Sequence, residues 1–299
     1  MDTLRCSAWA ELIGEPLAGT AATARSWLAL EQPGPWGRDA LSASHLDSGV
    51  ARELATLAAG TGVRIVLIRR PGSHPDRHRP IPRHVYLAHT APGNTWLERA
   101  TITDPKALLD LDFLRAGAGE PGLLGARTPD PLLLVCTNGR RDVCCALRGR
   151  PLAAAVAADH GETVWECTHI GGHRFSPTAV LLPTGYAYGH LDAAAGSRLL
   201  TEPGVVTDDC RGRSTWPPAG QVAELEVRAR LGEADPDALQ VVGIEETGVG
   251  TTHLVTVAAP GSEWRVTVVE REAGPTRPAS CAAAPTPAIG FAVESVSRG

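Results

Sequence analysis

The chain has 299 residues, 43% of them hydrophobic and 20% charged, with 28 Lys and Arg against 33 Asp and Glu and a formal net charge of −5. That composition can bury a sizeable core, which excludes wholesale disorder. No run of five or six like charges occurs, which argues against nucleic-acid and anionic-membrane partners.

Ser26–Glu31 is a short apolar run, read as a strand and ended by the breaker Gln32-Pro33-Gly34-Pro35. Residues 50–59 have helical spacing of apolar side chains and stop at Gly60. Residues 63–68 read as a buried strand, residues 71–82 as a loop, and 84–89 with 95–101 as a hairpin pair. A similar order recurs after the Gly- and Pro-rich stretch 117–131. Residues 132–135 read as a strand, and 151–160 as a short helix with Pro151 in its first turn and Gly161 past its end. Residues 163–167 read as a strand, and 178–182 and 186–191 as two more joined by Pro183-Thr184-Gly185. Both segments thus read β-α-β-β-β. Residues 34–39 (GPWGRD) follow the first strand of one as 138–142 (NGRRD) follow the first strand of the other. This suggests an internal duplication in which only the second copy kept its cysteines. Farther on, Pro218–Leu231 reads as an amphipathic helix. Residues 239–245, 252–258 and 264–270 read as strands, the last two antiparallel. Residues 291–296 add an edge strand, and 273–287 form an irregular linker.

Residues 1–14 carry Asp2, Arg5 and Glu11 and have no apolar run of signal-peptide length. No apolar stretch approaches the ~20 residues of a membrane span. A soluble, cytoplasmic protein is expected. In that compartment seven cysteines, an odd count, do not suggest a disulfide framework.

Four of them, Cys136, Cys144, Cys145 and Cys167, are close in sequence. Cys136 follows a strand, and Cys145, nine positions on, is read in a loop. His169 and His173 flank Gly171-Gly172. Glycines are poor helix formers, so this pair is placed on a second loop. Two loops from neighbouring strand ends, each offering two ligands, make a pocket of soft thiolate and imidazole donors. Such a set suits zinc, copper or an iron–sulfur cluster. Spacing leaves Cys144 and Cys167 open between ligand and neighbour. Cys6, Cys210 and Cys281 read as small hydrophobes. His45, His74, His78, His84, His89, His160, His190 and His253 read as satisfied surface or loop residues. No Walker loop, dinucleotide fingerprint or Gly-x-Ser-x-Gly is present. Reducing equivalents from a nicotinamide would therefore need a separate flavoprotein.

The strings LLVCTNGRRDVCCALRGRPLA, VWECTHIGGHRFSPTAVLLPTGYAYG, RGRSTWPPAGQVAELEVR and EPLAGTAATARSWLALEQPGPWGRDAL resemble the sucrase/ferredoxin-like proteins. The resemblance covers about residues 1–232. It implies an α/β, thioredoxin-like fold and a [2Fe-2S] cluster held by two Cys and two His. Carried over, Cys136 and Cys145 match the thiolate ligands, and His169 and His173 match the imidazoles. Related four-thiolate ferredoxins of this fold use Cys-x3-Cys for the second pair, and here histidines stand in that spacing. Cys144 and Cys167 then become neighbours. The implied organisation is a metal-free thioredoxin-like domain at 1–122, a thioredoxin-like [2Fe-2S] ferredoxin domain at 123–232, and a β-rich extension at 233–299.

The implied function is a one-electron carrier or redox module rather than a stand-alone enzyme. It would exchange electrons with an unidentified redox partner protein and couple them to an imidazole proton. Replacing two thiolates by neutral imidazoles makes the cluster easier to reduce, as in Rieske centres. Arg140, Arg141, Arg148 and Arg174 read either as a face for an acidic partner or as solvated surface. Two alternatives remain. A structural Cys2His2 zinc site suits His-x3-His, although Cys-x8-Cys is longer than zinc-finger spacing. Thiol redox chemistry at Cys144-Cys145 or Cys136 lacks the usual Cys-x-x-Cys. Glycoside hydrolysis, which the family label brings up, needs a carboxylate pair at a defined separation. No pair among the 33 acidic residues is singled out.

Overall fold

Alternation along the strands sets the layering. On the strand at Ser26–Glu31, Trp27 and Ala29 enter one core cluster while Leu28 and Leu30 enter another. Residues with period 2 line opposite faces, and both faces here are buried, so the strand reads as one apolar run. The computed structural model describes residues 4–72, 81–247 and 251–299. Most of the loop read at 71–82, with His74 and His78, lies outside the described residues.

In chain order the elements are α1 (Cys6–Leu12), β1 (Ser26–Glu31), α2 (Ser48–Ala58), β2 (Val63–Arg69), β3 (Arg83–His89), β4 (Trp96–Ile102), α3 (Phe113–Ala118) and β5 (Ala126–Arg127). Then come β6 (Leu132–Cys136), α4 (Val143–His160), β7 (Val164–Cys167), β8 (Ala179–Leu182), β9 (Tyr186–Tyr188), α5 (Ala193–Thr201), β10 (Cys210–Arg213) and α6 (Pro218–Leu231). The C-terminal part adds β11 (Gln240–Thr247), β12 (Thr252–Ala259), β13 (Ser262–Glu272), β14 (Arg277–Pro278), β15 (Pro285–Thr286) and β16 (Ile289–Arg298).

The fold is mixed α/β. A ten-stranded sheet has the order β10-β9-β8-β6-β7-β2-β1-β3-β4-β5, and a separate antiparallel sheet has the order β11-β12-β13-β16. β1 runs parallel to β2, and β6 parallel to β7. The two halves meet at an antiparallel seam, where Ile68 faces Cys167 and Arg69 faces Glu166. One face of the seam is a continuous core that includes Trp27, Ile68, Trp165, Cys136, Cys145 and Cys167.

Two sequence expectations change here. The helix expected over 151–160 begins at Val143, so Cys144 and Cys145 sit on a helix and not in a loop. The Asp142 carboxylate caps it by accepting from Cys144 N at 2.9 Å. Pro151 lies inside the helix. It removes one backbone donor, and burial of Cys144, Cys145, Gly149, Leu152, Ala153 and Val156 along α4 outweighs that loss. The second change is at α6, which is buried nearly all round between β10 and the small sheet. Its polar residues are spent internally. Tyr186 donates to Glu224 at 2.7 Å, and Arg228 donates to the same carboxylate at 2.8 Å. The segment 273–287 contains the short β14–β15 pair, which returns the chain toward α1. Among the described residues, no helix is long and apolar enough to cross a membrane.

Candidate metal centre

Cys136 ends β6 and lies in register with Cys167 on β7. Both are fully buried. Cys136 N donates to Thr178 O at 2.9 Å, and Thr137 N donates to Cys167 O at 3.1 Å, so the strand end is fixed on both sides. Cys145 reaches the same spot from the first turn of α4. Gly149, one helical turn on, lies so close to the Cys136 carbonyl that a Cβ there would collide with it. The missing side chain lets α4 seat against the strand end.

The chain then leaves β7 along β2. Thr168 N donates to Leu67 O at 2.9 Å, and Arg64 donates to the His169 carbonyl at 3.2 Å. Gly171 and Gly172 both have left-handed backbone, with φ of 88° and 70°. A Cβ on Gly172 would strike the Arg211 guanidinium. Arg211 is fully buried and donates to the Gly171 carbonyl at 3.1 Å and to Thr20 Oγ1 at 3.0 Å. This loop was read from its glycines, and it is held from below by an arginine that sequence reasoning missed.

The ligand atoms of Cys136, Cys145 and His169 lie within 4.8 Å of one another. His169 Nδ1 is 4.0 Å from Cys136 Sγ. His173 stands outside that group, with its ring centroid 5.1 Å from that of His169. Among the described residues neither of its buried ring nitrogens makes a well-formed hydrogen bond, although the Ala279 backbone and Asp142 lie nearby. Its Nε2 is 3.8 Å from Asp142 Oδ2, too long for a hydrogen bond. The four predicted residues thus converge, three as a tight group and the fourth beside it. Cys167 is in the shared core and outside the group.

The electrostatics favour a thiolate here. The Cys145 thiol donating to Cys136, aided by His169, holds Cys136 well below the ordinary thiol range. Cys145 is pushed up by the same contact and by burial. Burial, with the charge of His169, pushes the His173 imidazole down. Burial also lowers Arg211 to about 9. A cavity of about 270 Å³, lined by Arg38, Arg64, Arg141 and Thr168 among others, opens onto His169.

A second sulfur-rich group adjoins the first. Cys6, Cys144, Cys281 and Asp142 also place one ligand atom each within 4.8 Å of the others. Cys281 is exposed, which corrects its reading as a small buried hydrophobe, and Cys144 is more than a neighbour of Cys145. The signal that could have revealed this is Asp142, a capping residue placed just before vicinal cysteines. Two of the four arginines read as a docking face are engaged internally. Arg148 pairs with Glu11, and Arg174 pairs with Glu15 at 2.7 Å. Arg140 and Arg141 remain exposed. The histidines read as satisfied include His84 with Glu31 and His89 with Ser26, whereas His190 Nδ1, 3.2 Å from a Glu11 carboxylate oxygen, is buried without a well-formed hydrogen bond among the described residues.

No curated protein and no solved structure matches the chain. The sequence profile described as sucrase/ferredoxin-like matches residues 17–212, a narrower span than the strings suggested. It runs from the segment before β1 into β10 and contains Cys136, Cys145, His169 and His173. The chain belongs to the sucrase/ferredoxin-like family.

Proposed function

We propose that the protein is an electron-transfer protein carrying one [2Fe-2S] cluster, with Cys136, Cys145, His169 and His173 as ligands. One observation carries this reading. Two buried thiols and an imidazole share one small space, and beside them His173 has two buried ring nitrogens that make no well-formed hydrogen bond among the described residues. Desolvating an imidazole without a partner is costly, and a metal centre at this point would supply the partner. The donor set, two sulfurs and two nitrogens, fits the group. When bound, the cluster would supply one-electron chemistry, and the protein would supply ligation, burial and orientation.

The remaining residues have definable tasks. Arg64 and Arg211 hold the ligand loop by its carbonyls and place positive charge beside the thiolates. With Nδ1 of His169 turned toward Cys136, Nε2 is the nitrogen left to hold a proton. The cavity at His169, with exposed Arg141 at its edge, is where an acidic redox partner protein would approach. In this reading, residues 123–232 form the cluster-bearing thioredoxin-like unit, 1–122 its metal-free counterpart, and 233–299 a β-rich extension. The test is anaerobic purification with iron and acid-labile sulfide analysis, followed by EPR of the reduced protein. Equal iron and sulfide with a reduced-state signal supports the reading. A colourless protein with no sulfide overturns it.

A further inference from the structure

We propose that Cys6, Cys144, Cys281 and Asp142 form a second metal site that holds one structural zinc ion. The site is distinct from the cluster site. Consecutive helical residues are rotated by about 100°, so Cys144 and Cys145 in the first turn of α4 point to different places. Cys145 faces Cys136, and Cys144 faces Cys6 and Cys281.

The geometry is close to that of a tetrahedral ligand set. Cys6 Sγ lies 3.6 Å from Cys144 Sγ and 3.6 Å from Cys281 Sγ. Cys144 and Cys281 are 3.3 Å apart. Both Asp142 carboxylate oxygens lie 3.7 Å from Cys6 Sγ. A tetrahedral zinc with Zn–S of about 2.3 Å spans S···S edges of about 3.8 Å and S···O edges of about 3.5 Å. The observed edges are within half an ångström of those values. A disulfide would join one pair of sulfurs and leave the third sulfur and the carboxylate without a role. A tetrahedral ion uses all four. Three thiolates and one carboxylate with no open position are the donors of a structural site, and they favour zinc over harder cations. As zinc binds, each thiol releases its proton to solvent and no electron moves.

The surroundings suit an anionic centre. Ser7 Oγ donates to Cys144 Sγ at 3.3 Å. The backbone N–H groups of Cys144 and Cys281 donate to Asp142 at 2.9 and 2.8 Å and fix its carboxylate. The site sits at the N-terminus of an 18-residue helix, where negative charge is favoured. An independent feature joins the same segments. The Glu15 carboxylate is shared by Arg174, beside His173, and by Arg277 of the C-terminal part, each with a contact of 2.7 Å. Zinc would therefore staple α1, α4 and the returning C-terminal segment, closing one side of the cluster loop. Cys6 and Cys281 both lie outside the matched span 17–212, so this staple is built from parts the family match does not cover.

The test measures zinc and iron per chain by mass spectrometry in the full-length protein, grown with zinc and purified without chelator. Wild type should carry about one zinc. Cys281→Ala, at an exposed position, and Cys6→Ala should lose it and keep their iron. His169→Ala should keep the zinc, which separates this site from the cluster ligands, so failure of the cluster reading leaves the zinc result interpretable. Zinc-edge X-ray absorption of the wild type should show a sulfur-dominated shell with one lighter donor, a readout that needs no variant to fold. Three results would overturn the proposal: wild type without zinc, zinc that leaves with His169→Ala but stays in Cys281→Ala, or a mass lower by two hydrogens from a disulfide among the three cysteines.

Discussion

Each half of the large sheet runs strand, helix, strand and hairpin, and each takes one spatial order, β2-β1-β3-β4 in the first and β7-β6-β8-β9 in the second. In both, the inner pair is parallel and the outer pairs are antiparallel. The strand ends are used differently. Beyond β1, Gln32 N donates to Ile68 O at 2.9 Å, and Trp36 Nε1 donates to the Gln32 carbonyl at 2.8 Å. The Glu31 carboxylate accepts from His84 N at 2.9 Å. These groups satisfy one another, and the cavity of about 640 Å³ beside them, lined by Gly34, Pro35, Trp36 and Arg69 among others, has no cysteine among its described lining residues. Beyond β6 the corresponding place holds thiols and imidazoles, and among the described residues the His173 nitrogens make no well-formed hydrogen bond. Connectivity sets the crevice, and the donors at the strand ends decide whether it could hold a metal.

The largest effect should follow from removing donors in the second half. Cys136→Ser or Cys145→Ser should abolish iron binding and visible absorbance, because each deletes one of the two thiolates proposed as cluster ligands. Cys167→Ala, one strand across, should keep the iron and cost about 1 kcal/mol as a modest core truncation. Iron retained in Cys136→Ser would break the comparison at its centre. Iron lost in Cys167→Ala would move the ligand set onto β7.

The seam between the halves comes next. Arg69 donates to Glu166 through Nε at 2.8 Å and Nη2 at 2.7 Å, and Thr137 donates to the same oxygen at 2.8 Å. Arg69 also lies over the Trp36 ring at 4.1 Å. Arg69→Met should destabilise the fold by up to about 3–5 kcal/mol, because it removes one partner of a buried, hydrogen-bonded ion pair at the seam. Urea unfolding measures this. A loss below about 1 kcal/mol would mean that the halves do not depend on this pair.

Much of this frame was legible in the chain. β1, β2, β6 and the β3–β4 and β8–β9 hairpins are apolar runs bounded by breakers, and such runs fix strands locally. The true start of α4 was not legible because Pro151 resembled a first-turn proline, while Asp142 is the actual cap. β10 was missed because Cys210-Arg-Gly-Arg213 reads as polar. Its arginines are buried only because distant carbonyls, Gly171 for Arg211 and Thr90 for Arg213, accept from them. The same rule divides the two groups of candidate metal donors. Cys136, Cys145, His169 and His173 all lie at or soon after the ends of the neighbouring strands β6 and β7, so their convergence could be read from spacing. Cys6 and Cys281 are 275 residues apart, and only tertiary packing brings them together.

The first half carries its own pH-sensitive group away from the metal centre. His89 Nδ1 is 2.8 Å from Ser26 Oγ, and the ring stacks on Trp96. Burial, aided by the charges of Arg25 and Arg213, lowers its pKa from 6.5 to about 4. Between these values the unfolded chain binds a proton that the folded protein refuses. Stability should therefore fall as pH drops from about 6.5 to about 4, by about 3 kcal/mol in total. His89→Gln should flatten that part of the urea midpoint profile while iron content is unchanged. An unaltered slope in His89→Gln would place the acid sensitivity in other groups.

The smallest effect separates the two crossover helices. α4 needs Gly149 because a Cβ there would strike the Cys136 carbonyl, a backbone atom that cannot swing aside. Gly49 in α2 meets nothing closer than an Asp47 side-chain oxygen at 3.1 Å. Gly149→Ala should cost about 1–3 kcal/mol, the usual range for overpacking, even though alanine favours helix. The helix must move outward to fit the methyl group, and Cys145, one turn earlier, moves with it. Iron loading should therefore drop alongside stability. Gly49→Ala should stay within about 0.5 kcal/mol of wild type and leave iron loading alone. If both variants behaved alike, the close seating of α4 would be incidental to the ligand set, and the two helices would differ only in length. If Gly149→Ala lost iron with little loss of stability, the separation between Cys136 and Cys145 would be the constrained quantity, and this glycine would be a positioning residue for the cluster.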